Sequence, residues 1–150
     1  MQVNPSIFKA YDIRGIYPDD LNEEIGYAIG RAFVTLLEVD TVIAGRDMRL
    51  SGPQMFEAVT HGLTDQGADV IDIGMVSTDQ YYYACATLDR AGMMVTASHN
   101  PAQYNGFKMV RRMPQLLSGE EGIQDIRRLV ESEDFPTPRR TGSITRTDVS

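Results

Sequence analysis

The segment GMMVTASHNPAQYNGFKMV, residues 92–110, decides the fold of this chain because two apolar runs flank a polar loop. Residues 92–96 are typical of a buried strand, and residues 106–110 predict a second strand that returns antiparallel to it. The loop between them, residues 97–105, follows the carboxyl end of the first strand. Because α/β sheets bind ligands beyond the carboxyl ends of their strands, this loop is a candidate site.

Helices and strands alternate along the rest of the chain. Apolar residues recur at helical spacing from residue 25 to residue 36, and Asp20 followed by Glu23 resembles a capping box at the start of that helix. This order predicts a three-layer α/β/α sandwich with a mixed, mainly parallel sheet. The other predicted elements are strands at 41–44 and 70–74 and helices at 51–67, 78–88 and 119–131.

Composition narrows the classes of function. The chain has 150 residues with 42% hydrophobic and 23% charged side chains, which is typical of one folded domain rather than a disordered chain. A formal net charge of −7 argues against a nucleic-acid or acidic-membrane binder. The chain nevertheless has local groups of cationic residues, so a function that involves anionic substrates remains open. These cations are Lys9, Arg14, Arg46, Arg49, Lys108, Arg111 and Arg112.

The single cysteine and the N-terminal sequence favour a reducing compartment. Cys85 cannot form an internal disulfide, and its neighbours predict a helix core rather than a reactive pocket. The first residues, MQVNPSIFKAYDIRG, lack the pattern of a signal peptide, and no apolar run is long enough for a transmembrane helix. We therefore expect a cytoplasmic protein without a membrane partner.

The loop after residue 96 carries the chemistry. It brings together a hydroxyl, an imidazole, an amide and an ammonium group, from Ser98, His99, Asn100 and Lys108. Such groups are suited to holding a phosphate, and Ser98 is a candidate for covalent attachment. A serine-hydrolase site is disfavoured because Ser98 is not in a G-x-S-x-G elbow and His61 is expected to be structural.

A metal site built by this chain alone is also disfavoured, since two distant histidines and one cysteine give no ligand spacing. The carboxylate pairs Asp19-Asp20 and Glu120-Glu121 occupy turn or helix-start positions. We expect them to complement helix dipoles.

Three segments in order resemble the α-D-phosphohexomutases, the phosphoglucomutase/phosphomannomutase group. TASHNP at 96–101 followed by YNGFK at 104–108 resembles the phosphoserine loop of that family, FKAYDIRG at 8–15 its N-terminal motif, and GRDMRLSG at 45–52 a further segment. The YDIRG form is more similar to bifunctional phosphomannomutase/phosphoglucomutase than to phosphoglucosamine mutase. The resemblance covers the chain as domain 1, with residues 1–131 as the phosphoserine domain and residues 132–150 as a linker toward a missing domain 2.

The resemblance implies a four-domain enzyme that interconverts glucose or mannose 1-phosphate and 6-phosphate through a 1,6-bisphosphate. The family's metal loop, sugar-recognition loop and phosphate-binding loop belong to the other domains, so the isolated chain is expected to be inactive. Its implied partners are hexose phosphates, hexose 1,6-bisphosphate and the remaining domains of the same enzyme.

The resemblance also implies a role for each site residue. Ser98 carries the phosphoryl group, and its phosphate ligates Mg²⁺. His99 and Lys108 serve in proton transfer or charge stabilisation, with the division between them open. The implied substrate- and phosphate-binding residues are Tyr11, Arg14, Arg46 and Asn100. Packing of a strand aromatic remains the alternative for Tyr11, and loop shaping the alternative for Asn100.

A second class of function remains open from the residues alone. A non-catalytic α/β module could bind phosphosugars or dock against partner domains without carrying a phosphoryl group. Phosphorylation of Ser98 distinguishes the two classes.

Overall fold

The computed structural model describes residues 1–119 and 122–148. The predicted pair Glu120-Glu121 therefore lies outside the described residues. The elements are strands β1 (Ile13–Ile16), β2 (Thr41–Arg46), β3 (Asp69–Met75), β4 (Ala91–Val95), β5 (Tyr104–Arg112), β6 (Gln115–Leu116) and β7 (Ile144–Arg146), helices α1 (Glu23–Leu37), α2 (Gly52–Asp65), α3 (Thr78–Leu88) and α4 (Ile123–Ser132), and a short 3-10 helix at Pro5–Ile7.

One mixed sheet contains the seven strands of the described residues, in the order β1-β5-β4-β2-β3-β7, with β6 paired to β5. Strand β2 runs parallel to β3 and β4, and β3 runs parallel to β7. Strand β5 returns antiparallel to β4 and also pairs antiparallel with β1. The predicted mixed sheet and the antiparallel return after the loop are both confirmed.

Two apolar cores lie on opposite faces of this sheet. Along β2, Val42 and Ala44 belong to the larger core, while Ile43 between them belongs to the smaller one. Helices α1, α2 and α4 cover the larger core, and α3 covers the smaller one through Tyr81 and Cys85. Because side chains alternate between the faces of a strand, a sheet covered on both sides reads as a continuous apolar run. The predicted α/β/α layers are confirmed.

Helices α1 and α2 approach closely through glycines. A Cβ atom on Gly30 would collide with the carbonyl oxygen of Val59, and a Cβ atom on Gly62 would collide with the carbonyl oxygen of Tyr27. The two backbones can therefore meet only where these side chains are absent. This contact sets the spacing of the helix layer over the larger core.

The start of α1 corrects the sequence prediction. Asn22 is the N-cap, and its side-chain oxygen accepts a hydrogen bond from the Ile25 N–H at 3.0 Å. The backbone N–H of Asp20 instead donates to the Ile16 carbonyl in the preceding turn, at 2.8 Å. The predicted Asp20–Glu23 capping box is therefore wrong, because the turn extends two residues further than the pattern suggested. Glu23 still lies in the first turn, where it complements the helix dipole.

The last part of the chain crosses from the helix layer to the edge of the sheet. Arg31 lies over the ring of Phe135 at 4.6 Å, and the Gln66 side chain donates to the Pro136 carbonyl at 2.6 Å. The chain then adds β7 alongside β3. The polar sequence after residue 131 did not indicate this strand, and the domain boundary at that residue stays a prediction.

None of the helices formed by the described residues combines the length and the apolar character that crossing a membrane requires.

Candidate functional site

Loops at the carboxyl ends of β4, β2 and β3 meet around one cleft. Its volume is about 650 Å³, and its lining includes Asp47 after β2, Met75 at the end of β3 and Thr96 after β4. Ser98, His99 and Lys108 line the same cleft. The topology therefore places residues of the segment 96–108 around one cleft with the loops that follow β2 and β3.

Ser98 is exposed at this cleft and has a left-handed backbone conformation, with φ of +56°. Its N–H donates to the Thr96 hydroxyl at 3.0 Å, and its carbonyl accepts from the Arg49 guanidinium at 2.7 Å. Non-glycine residues seldom adopt this conformation unless their surroundings hold them there. The hydroxyl is thus presented to solvent from a backbone that is bound on both sides.

Arg49 makes the most extensive contacts in this region. One terminal nitrogen donates to the carbonyls of Pro101 and Tyr104, at 2.9 and 3.1 Å. The other donates to the carbonyls of Ser98 and Asn100, at 2.7 and 2.9 Å. The side chain is only 9% exposed. The Ser98 loop, residues 96–104, is therefore wrapped around one guanidinium group.

The Asp47 carboxylate accepts hydrogen bonds from both Arg49 and Thr96. One carboxylate oxygen accepts from the Arg49 Nε at 3.3 Å and from the Thr96 hydroxyl at 2.7 Å, and the other accepts from the Arg49 backbone N–H at 3.1 Å. Thr96 in turn accepts the Ser98 N–H. A connected hydrogen-bond network thus runs from the loop after β2 to the backbone of Ser98.

Asn100 bonds within the Ser98 loop. Its side-chain amide and its backbone N–H both donate to the Ala97 carbonyl, at 2.7 and 3.1 Å. This arrangement supports the loop-shaping interpretation. The assignment of Asn100 to phosphate binding stays a prediction.

Lys108 reaches the cleft from β5. It lies opposite Met94 of β4, and its carbonyl accepts a hydrogen bond from the buried Tyr81 hydroxyl of α3 at 2.9 Å. His99 is exposed and follows Ser98 directly. The structure therefore brings Ser98, His99 and Lys108 to one cleft, as two neighbouring loop positions and one strand position.

Arg14 and Tyr11 do not contribute to the lining of this cleft. Arg14 pairs with Gly106 across β1 and β5, which places it on the same face of the sheet as Lys108. Its Nε donates to the Asp12 carboxylate at 3.0 Å. Tyr11 is 74% exposed. Their phosphate-binding roles stay predictions.

Arg46 points to the other side of the sheet. Its guanidinium lies over the ring of Phe56 in α2, at 5.4 Å from the ring centroid. The Arg46 Nε is buried and has no hydrogen-bond partner among the described residues. The structure does not bring Arg46 to the cleft that contains Ser98, and its phosphate-binding role stays a prediction.

The remaining candidate groups lie outside the site. Cys85 is fully buried in α3, and this burial raises the pKa of its thiol to about 12. His61 is exposed on α2. Within residues 1–119 and 122–148, no group of three His, Cys, Asp or Glu side chains is placed to hold a metal ion.

Sequence reasoning missed the role of Asp47 and Arg49 in organising the loop. Both lie in the segment GRDMRLSG, whose first residues were expected to meet residues 96–106 around one crevice, but no contact of Arg49 with that loop was predicted. The acceptors of Arg49 lie 49 to 55 residues further along the chain. A local pattern therefore held no signal for this contact.

Comparisons with known proteins agree with this fold. A family profile described as "Phosphoglucomutase/phosphomannomutase, alpha/beta/alpha domain I" matches residues 5–137. A phosphomannomutase of Klebsiella pneumoniae is 44% identical over 145 residues, covering 95% of this chain and 92% of that protein. A phosphomannomutase of Escherichia coli is also 44% identical over 145 residues, but the chain covers only 32% of it.

A solved structure shows the same arrangement of elements. The phosphoglucomutase/phosphomannomutase family protein from Burkholderia thailandensis superimposes with a TM-score of 0.91 at 38% identity, covering 99% of this chain and 34% of that one. The chain thus spans about a third of the length of this structure. The resemblance carried by residues 8–15, 45–52 and 96–108 is confirmed: the chain belongs to the phosphoglucomutase/phosphomannomutase family and matches its α/β/α domain I.

Proposed function

We propose that this chain is the phosphoserine domain of a hexose-phosphate mutase, in which Ser98 carries the transferred phosphoryl group. The single observation that carries the proposal is the exposed Ser98 hydroxyl, held on a fixed backbone beside His99 and Lys108 in one cleft. A carrier needs a hydroxyl that substrate can reach and cations nearby to offset phosphate charge.

In the proposed reaction the C1 or C6 hydroxyl oxygen of a hexose monophosphate attacks phosphorus on phosphorylated Ser98. The new bond joins phosphorus to the sugar oxygen, and the bond from phosphorus to the Ser98 oxygen breaks. His99 or Lys108 takes the sugar hydroxyl proton and returns it to the serine oxygen. The resulting hexose 1,6-bisphosphate reorients and transfers its other phosphate back to Ser98 by the reverse step.

The residues of this chain fit a Mg²⁺ site to which the chain supplies one ligand, the phosphate on Ser98. Ser98 is exposed, so a phosphate on its oxygen would project into the open cleft where ligands from another part of the enzyme could reach the ion. When bound, Mg²⁺ would neutralise charge on the transferring group. Positioning of the serine oxygen is the contribution of this chain's own residues.

The proposal includes the remaining domains of a larger enzyme as partners. Two relatives support this part of the proposal, because the chain covers only 32% of the length of one and 34% of the length of the other. Those domains would supply the other metal ligands and the contacts that recognise the sugar, so the isolated chain would be inactive. Glucose and mannose phosphates as substrates and a cytoplasmic location belong to the same proposal.

Replacement of the serine in the full-length protein tests the carrier role. We expect Ser98→Ala to lose mutase turnover by orders of magnitude and to retain the fold, because an exposed loop hydroxyl contributes little to stability. Ser132→Ala, an exposed serine at the end of α4, is the matched control and should keep normal turnover. The measurement is the rate of conversion of hexose 1-phosphate to hexose 6-phosphate with Mg²⁺.

Intact-mass analysis gives a second readout of the same variants. After incubation with glucose 1,6-bisphosphate and Mg²⁺, wild type and Ser132→Ala should each gain one phosphoryl group, and Ser98→Ala should gain none. Near-normal turnover of Ser98→Ala would end the proposal. Binding of hexose phosphate without turnover or phosphorylation in the full-length wild type would favour the non-catalytic module.

A further inference from the structure

We propose that Arg49, oriented by Asp47, is a positioning residue that fixes the backbone of the Ser98 loop for phosphoryl transfer; this inference rests on the proposed role of Ser98. Arg49 makes its contacts to the loop through the carbonyls of Ser98, Asn100, Pro101 and Tyr104. It would therefore act through the loop rather than through the substrate.

The donors of Arg49 are fully used. A guanidinium has five N–H donors in a fixed planar fork. Four of them reach the loop carbonyls, and the fifth, on Nε, reaches the Asp47 carboxylate. No N–H remains to bind a phosphate while these contacts persist. The saturated geometry distinguishes Arg49 from a phosphate-binding arginine and points to a structural task in the loop.

The same network holds Ser98 from both sides. Arg49 binds the carbonyl of Ser98, and Thr96 binds its N–H while donating its own proton to Asp47. Both restraints act on Ser98, whose φ of +56° is unfavourable for most residues other than glycine. Without them, the loop would relax and move the Ser98 oxygen from its place in the cleft that Lys108 also lines. Strained conformations at functional sites persist where the surroundings over-determine them, as here.

Lysine cannot reproduce this arrangement. An ammonium group keeps the positive charge beside Asp47, but it has three donors at one point instead of five in a plane. The change Arg49→Lys therefore separates the geometry of the guanidinium from its charge. A role that required only a cation would survive this change, whereas a positioning role would not.

The test compares Arg49→Lys with wild type in the full-length protein. We expect kcat to fall by about 100-fold with a much smaller change in KM, since misplacement of a reacting atom by about 1 Å costs this much. Amide hydrogen exchange across residues 97–104 should become faster, while exchange in α1 and β2 stays unchanged. Arg112→Lys is the matched control, because Arg112 forms an exposed two-point pair with Asp89 at 2.8 Å. It should match wild type in both measurements.

Each outcome decides the proposal. Wild-type kcat, or unchanged exchange in the loop, for a folded Arg49→Lys protein would overturn it. Ser98→Ala separates this failure from failure of the proposed function: normal turnover of that variant ends the carrier role, while loss of its turnover with normal Arg49→Lys turnover ends only the positioning role. If Arg49→Lys does not fold, Asp47→Asn decides, because it removes the carboxylate charge that orients Arg49 and leaves the arginine itself unchanged. It should show the same kcat loss, and wild-type kcat would overturn the proposal.

Discussion

Ser98 differs from every other non-glycine residue of positive φ among the described residues. Glu38, Asp89 and Glu133 have such conformations too, and each is the C-cap of a helix, where left-handed residues are common. Ser98 instead lies in a loop, where its conformation is held by Thr96 and Arg49. Its backbone strain is therefore associated with presentation of the hydroxyl rather than with the end of an element.

This conformation gives a prediction about stability. Ser98→Gly and Ser98→Ala both remove the hydroxyl, but only glycine tolerates a φ of +56° without a side-chain clash. We expect Ser98→Gly to be more stable than Ser98→Ala by about 1 kcal/mol. Urea unfolding of the two variants measures the difference. A glycine variant less stable than the alanine variant would show that the left-handed conformation does not persist in solution.

Much of the site at residue scale could be read from the sequence, because Ser98, His99 and Lys108 lie within one strand-loop-strand segment. A short stretch of chain that leaves and re-enters a sheet must keep its polar groups together. The sequence did not predict that Arg46 and Arg49 have different surroundings. They are three residues apart, yet one lies over Phe56 on the α2 side and the other binds the Ser98 loop.

The contact between α1 and α2 gives a prediction at the scale of elements. We expect Gly62→Ala to destabilise the protein by about 1–3 kcal/mol, since a methyl group there collides with the backbone of Tyr27 and must push the helices apart. Gly52→Ala is the control in the same helix, because its methyl group would meet only ordinary contacts, the nearest at 3.5 Å. It should be neutral or stabilising. Chemical denaturation of both variants measures the effect, and equal stabilities would contradict the close approach.

The helices and most strands could be predicted because apolar spacing reports which face is buried. The start of α1 could not, since Asp20 and Asn22 are both good N-caps and the choice depends on how the turn after β1 packs. Strand β7 could not either. Its residues Ile144–Arg146 are all exposed, so its pairing with β3 leaves no alternation of apolar residues in the sequence.

At the scale of the whole molecule, the tail joins the sheet through a charged pair. Arg140 donates two hydrogen bonds to the Asp69 carboxylate at 3.0 Å, and the Ser143 N–H donates a third, also at 3.0 Å. Chiefly because of the Arg140 bonds, and then the Ser143 N–H, the pKa of Asp69 is lowered from its ordinary 3.8 to about 2. The pair is partly exposed, so its contribution is modest and sensitive to salt.

Because the pKa of Asp69 is lowered, the contribution of this pair to the stability of the fold depends on pH. The folded state favours the charged carboxylate, so the stabilisation is complete above the ordinary pKa of Asp69 and is lost as pH falls through about 2. We expect wild type to exceed Asp69→Asn in stability by a constant amount above pH 3.8, and the difference to shrink toward pH 2. Unfolding of both proteins across this range measures it. Arg140→Gln should remove most of the dependence, and a difference that grows toward low pH would contradict the assignment.

Arg49 contacts the Ser98 loop through peptide carbonyls and makes no hydrogen bond to the side chains of that loop. Positions such as Ala102 and Gln103 are exposed, and Arg49 makes no hydrogen bond to either. The loop is thus open to mutational drift at its outer positions while its path stays constant. Substitutions at these outer positions would therefore change the surface of the loop without a new scaffold for the nucleophile.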